Sequence, residues 1–316
     1  MFAAMWSHMW PWIVFGALVA VMLTLDLAFF HRSGVHRSTR ASALWSALFV
    51  GVGLSFAIVV GFARGTDAAF QYLTAFLIEE SLSVDNLFVF LALFTYFGVP
   101  REHQHRVLFW GIVGAIVMRG LFITAGVALI HTFHWLIYLL GVLLIATGAK
   151  LGLGKGEEVH PERNLVVRWA SRVLPLTRSY HGDRFAVRQE GRLRFTPLAL
   201  VLLAVESTDL MFAVDSVPAV LAVSRDVFVI YSSNVFAVIG LRAIYSLLSG
   251  VLAALRFLRP ALALILILVG AKMLLSSVVE VPTLLSLAVV GAILVGATVL
   301  SLLSPGRPAG EAGDGG

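Results

Sequence analysis

Leu77-Ile78-Glu79-Glu80-Ser81-Leu82-Ser83-Val84-Asp85-Asn86 and Val205-Glu206-Ser207-Thr208-Asp209-Leu210-Met211-Phe212-Ala213-Val214-Asp215-Ser216 each set carboxylates inside a long apolar run. On insertion scales an ionised side chain at the centre of a membrane span costs about 2.5–3.5 kcal/mol, so acids placed there normally face a cavity or one another. The chain around them is 59% hydrophobic and 13% charged over 316 residues. Soluble domains carry about 25% charged residues. The net charge of +5 sits mostly in connections, so it does not call for nucleic acid as a partner. With no cysteine, disulfides and thiolate metal sites are excluded.

Working outward, apolar segments of about 20 residues recur, the length that crosses a bilayer. They fall at roughly 10–30, 41–63, 69–97, 107–130, 135–151, 196–223, 227–248, 260–277 and 283–303. Lipid leaves exposed backbone groups unsatisfied, so these segments are predicted to be helices. The expected fold is therefore all-α, a polytopic membrane protein of about nine spans. Its transmembrane domain covers 1–303 and a Gly/Pro-rich cytoplasmic tail, expected to be disordered, covers 304–316. Alternate connections hold the arginines: Arg32, Arg37 and Arg40, then Arg101 and Arg106, then loop 152–195, then Arg256 and Arg259. The positive-inside rule puts that side in the cytoplasm, the N-terminus outside and the C-terminus inside. The first segment lacks a basic leader and is too long for a signal peptide, so it reads as a span. Loop 152–195 reads equally as a solvated connector or as the seat of a short interfacial helix, and is the candidate surface for a protein partner.

Three features recur in order. Asp85-Asn86-Leu87-Phe88 resembles Asp209-Leu210-Met211-Phe212, Arg119-Gly120-Leu121-Phe122 resembles Arg242-Ala243-Ile244-Tyr245, and Gly148-Ala149-Lys150 matches Gly270-Ala271-Lys272. Spans 3–5 and 6–8 then form an inverted three-helix repeat, an arrangement that places transporter sites where the halves meet.

Six carboxylates converging there would repel unless a cation or protons neutralise them. An all-oxygen set suits a hard divalent ion. Asn86, Ser207, Thr208, Ser216 and Asn234 add neutral oxygens. Proton coupling is available to such a cluster. Arg119, Arg242 and Lys272 are the charge-balancing bases, and the competing explanation is that they simply pair with the acids. Glu80 adjoins Glu79 but points elsewhere, and Asp26 in span one is a further acid. His131 and His134 stand at helical spacing in an outer connection. Straight helices would not aim Glu79 and Asp85, or Asp209 and Asp215, at one point, so a kink or break, at Pro218 for example, is expected.

At Glu79–Phe90 and Glu206–Ala219, followed by Ser233-Asn234-Val235-Phe236-Ala237 and Gly240-Leu241-Arg242-Ala243, the sequence resembles the TerC family, which includes the Alx-like proteins and is related to LysE-type transporters. The resemblance spans about residues 10–303. It implies a multi-pass protein of the bacterial inner (plasma) membrane that exports manganese, with Glu79, Asp85, Glu206, Asp209 and Asp215 as metal ligands. Mn²⁺ would be cargo, with no prosthetic group. The alternative is a tellurite-type stress-resistance or assembly partner acting through protein contacts. An intramembrane enzyme is not expected, because no Gly-x-Gly-Asp or His-Glu-x-x-His motif accompanies the acids.

Overall fold

A computed structural model describes residues 2–31, 39–133, 135–153, 165–177, 179–189, 191–245, 257–276, 278 and 281–303. Within helices, the side chains of Asp85, Asp215 and Arg242 lie outside the described set, as do both His134 and the 304–316 tail.

The fold is all-α and polytopic. A helix occupies each apolar segment read from the sequence: α1 (Phe2–His31), α2 (Thr39–Arg64), α3 (Thr66–Tyr96), α4 (Arg101–Thr132), α5 (Leu136–Gly152), α7 (Pro197–Leu221), α8 (Val227–Tyr245), α9 (Leu258–Leu275) and α10 (Thr283–Leu303). By length and hydropathy, α1, α2, α4, α7, α9 and α10 suffice to cross a membrane, while α5 and α8 are apolar but shorter. The connections are tight. Gly65 alone, at φ +95°, links α2 to α3. Gly98, at φ +61°, closes α3 and leads through Val99 and Pro100 into α4. Both adopt the left-handed conformation that glycine tolerates best.

Packing follows the repeat in the sequence. Helix α3 packs on α8, α4 packs on α7, and α5 packs on α9. Glycines set the closeness of the last pair. A Cβ at Gly148 would meet the Ala263 carbonyl at 2.7 Å and Ile267, and one at Gly270 would meet the Gly141 carbonyl at 2.7 Å and Ile145. These contacts are images of each other under one shift, since 270 − 148, 263 − 141 and 267 − 145 all equal 122.

Loop 152–195 contains ordered structure that the sequence reading left open. Helix α6 (Leu165–Val173) is followed by a hairpin of β1 (Ala186–Gln189) and β2 (Arg192–Phe195), the two strands pairing antiparallel. This cap is fastened to the ends of the spans. Tyr180 donates to the Phe97 carbonyl at 2.7 Å, and Arg106 pairs with Asp183. Val167 and Ala170 bury themselves in a cluster with Phe94, Leu108, Leu198 and Val201.

The expected break in the acid-bearing helices is absent. Both α3 and α7 run continuously through their acids, and Pro218 lies in the last turn of α7, beyond Asp209 and Asp215. A proline there cannot donate to the carbonyl four residues back, yet α7 continues through it to Leu221.

Candidate functional site

Arg119 supplies the convergence that straight helices alone could not. It extends from the middle of α4 with 1% of its surface exposed. Its Nε and Nη2 donate to the two oxygens of Asp209 on α7, at 3.2 and 3.1 Å. Its Nη1 is shared between Glu79 on α3 and the Asn234 side-chain carbonyl on α8, the latter at 3.1 Å. The planar guanidinium fork suits a bidentate carboxylate. One cation thus gathers groups from four helices, two from each half of the sequence repeat. Asp209 and Glu79 are themselves buried, at 5% and 0% exposure.

The neutralisation is incomplete. Glu79 Oε2 and the Asn234 amide nitrogen are buried without a hydrogen-bond partner among the described residues. Glu206 lies one helical turn before Asp209 and within its electrostatic reach. Its carboxylate fills the notch left by Gly114 on α4, where a methyl group would overlap it, and its Oε2 also has no partner among the described residues.

The fourth acid is Glu80, which the sequence reading left out of the ligand set. Both of its oxygens are buried without a partner among the described residues, and they lie against Gly240 on α8, where a Cβ would approach them to 3.3 Å. The two glycine notches are reciprocal. The first helix of each half (α3, α7) offers a glutamate to a glycine on the second helix of the other (α8, α4). Gly240 belongs to the Gly240-Leu241-Arg242-Ala243 stretch and Gly114 to no motif, and neither notch was legible in the sequence, because each glutamate lies more than 90 residues from its glycine.

Other expected residues sit elsewhere. Lys272, expected to balance the acids, donates to the Ser286 hydroxyl at 2.8 Å and has Asp67 as its nearby charge. Asn86 and Ser216 are buried on α3 and α7 without bonding Arg119, and Ser216 Oγ has no partner among the described residues. The hydroxyls of Ser207 and Thr208 turn back to the Ala204 carbonyl at 3.0 and 2.7 Å. Asp26 is buried within α1, and His131 is exposed at the end of α4. Among the described residues, no three His, Asp or Glu side chains stand together as a ready metal cage.

Space beside the cluster is scant. A cavity of about 20 Å³ touches Asp209 and is otherwise lined by apolar residues, including Phe90, Leu108, Val205 and Leu241. That is room for about one water. It lies between the Arg119 cluster and the end of the bundle that carries the cap. Among the described residues, the centre of the site is filled by its own arginine.

Residues 64–308 match the integral membrane protein TerC family. The chain belongs to the TerC family. Within it, the chain is 44% identical over 292 residues to the Alx protein of Salmonella typhi, covering 90% of this chain and 91% of that one. It is 42% identical over 293 residues to Alx of Escherichia coli K12, with 90% and 91% covered. An uncharacterized membrane protein of Myxococcus xanthus is 42% identical over 292 residues, with 92% of each chain covered. The names given to the Alx proteins describe a membrane-bound redox modulator. No solved structure matches. The match covers α3 to α10 entire, so every residue of the Arg119 cluster falls within it.

Proposed function

We propose that this TerC-family protein is a secondary transporter that exports a hard divalent cation, Mn²⁺ foremost, through the carboxylates between α3, α4, α7 and α8. The carrying observation is a buried guanidinium that bridges Glu79 and Asp209, one acid from each half of the repeat. Removing charge from water is repaid only by good pairing. Glu79 and Asp209 share one arginine and Glu206 adjoins Asp209, so three carboxylates set against one guanidinium leave a negative surplus that a divalent ion would satisfy.

In this reading Arg119 is the internal cation of the empty site. An arriving ion takes Glu79, Asp209 and Glu206, with Asp85 and Asp215 completing the set, and Arg119 withdraws. Rocking of the halves about the glycine-tight α5–α9 seam then alternates access. Carboxylates released from the ion are available to protons on the return, which makes proton exchange the natural counterflow. The basic-loop side, including the cap, faces the cytoplasm. A redox role for the chain would have to work without thiols, since it has no cysteine.

Cells challenged with Mn²⁺ and assayed for metal content by mass spectrometry test this. Cells expressing the protein should retain less manganese than cells lacking it, and Glu79→Gln or Asp209→Asn should abolish the difference at equal membrane abundance. Equal export by wild type and both variants would contradict it. Each amide still accepts a hydrogen bond from Arg119, so folding is the milder risk.

A further inference from the structure

Helix α6 uses only half of its apolar surface against the protein. Val167 and Ala170 are buried at 7% and 1% exposure. Val166, Trp169 and Val173 stand out at 43%, 65% and 57%. At 100° per residue these three fall within an arc of about 60°, adjoining the buried face. Exposed Arg168 and Arg172 flank the apolar surface from the opposite side of the helix.

The position of α6 is as telling as its pattern. Its buried face rests on Leu198 and Val201 at the start of α7, Leu108 near the start of α4 and Phe94 near the end of α3. The helix therefore sits level with the ends of three long apolar helices, where the hydrocarbon meets the headgroups. The segment 165–196 carries seven arginines against Asp183 and Glu190. Amphipathic helices with Trp on one face and arginine on the other lie in that plane, and basic clusters draw anionic lipids to them.

We propose that α6 is an interfacial helix. Val166, Trp169 and Val173 enter the leaflet on the basic-loop side, and Arg168 and Arg172 bind the phosphates of anionic phospholipids there. The inference is independent of what the protein carries.

The chain has no native cysteine, so single labels are clean. Full-length protein carrying Val173→Cys or Ser171→Cys would be spin-labelled. It would then be reconstituted into vesicles of phosphatidylcholine, with or without phosphatidylglycerol. Accessibility to oxygen, concentrated in lipid, is compared with accessibility to a water-soluble nickel chelate. The ratio should be several-fold higher at 173 than at 171. It should rise further with phosphatidylglycerol, and Arg168→Gln/Arg172→Gln should remove that rise. Equal ratios at the two positions would overturn the proposal, as would indifference to phosphatidylglycerol. Spin–spin broadening at 173 that grows with protein density would overturn it too, by assigning the face to a second copy of the chain.

Discussion

Arg119 reaches from α4 into the interface and is held by Asp209, Glu79 and Asn234 at once. Arg119→Ala strands two buried carboxylates, and breaking such a pair typically costs about 3–5 kcal/mol. Thermal unfolding in detergent should register a large fall, with partial recovery in Arg119→Lys, which keeps the charge but loses the fork. Gly114→Ala acts differently. The new methyl meets the end of a flexible side chain, the Glu206 carboxylate, which can swing aside. The expected outcome is a near-normal melting temperature with impaired Mn²⁺ transport, and a normal transport rate would separate Glu206 from the ion's path. The sequence made Glu79, Asp209 and Arg119 conspicuous, because charge inside an apolar run is rare. It could not rank Glu80, whose significance comes from the empty space at Gly240 rather than from its own neighbours.

Among the elements, α5 and α9 are pressed together by glycines whose missing side chains face backbone carbonyls. Backbone yields poorly, so Gly148→Ala and Gly270→Ala should each destabilise by roughly 1–3 kcal/mol, in line with overpacked cores. Their symmetric contacts predict similar falls in thermal midpoint. The cap offers a pH-dependent element. Burial raises the Asp183 carboxyl, but the hydrogen bond and charge of Arg106 outweigh that and hold it below its usual value. A depressed carboxylate pKa stabilises above the unfolded value and loses its effect as pH falls through the folded one. Hydrogen exchange in α6 and the hairpin should thus quicken in Asp183→Asn at neutral pH. The variant and wild type should converge in acid, below the ordinary carboxylate range. Hydropathy was enough to locate the long helices, since lipid demands their length and composition. It could not locate the hairpin, whose strands are only four residues each and whose ladder runs from the turn at Gly191 to the Thr196 N–H bond with the Phe185 carbonyl. The continuity of α3 and α7 was also hidden, because an unbroken helix can serve a convergent site when an arginine reaches across from its neighbour.

For the molecule as a whole, the two halves exchange their first and second helices, α3 onto α8 and α4 onto α7, and meet again along α5 and α9. Acid-, arginine- and glycine-bearing stretches recur in the same order in the sequence, and the helices that carry them pack as these three pairs. The account predicts a protein that binds its ion by giving up Arg119 and opens its two ends in turn. The most direct measurement is ion flux into proteoliposomes with a trapped Mn²⁺-responsive dye, with and without a pH gradient. Wild type should pass Mn²⁺ in preference to Ca²⁺ and Zn²⁺, accelerate when a proton gradient opposes the metal, and lose flux in Asp209→Asn. Absence of Mn²⁺ flux in the wild type, or undiminished flux in Asp209→Asn, would contradict it.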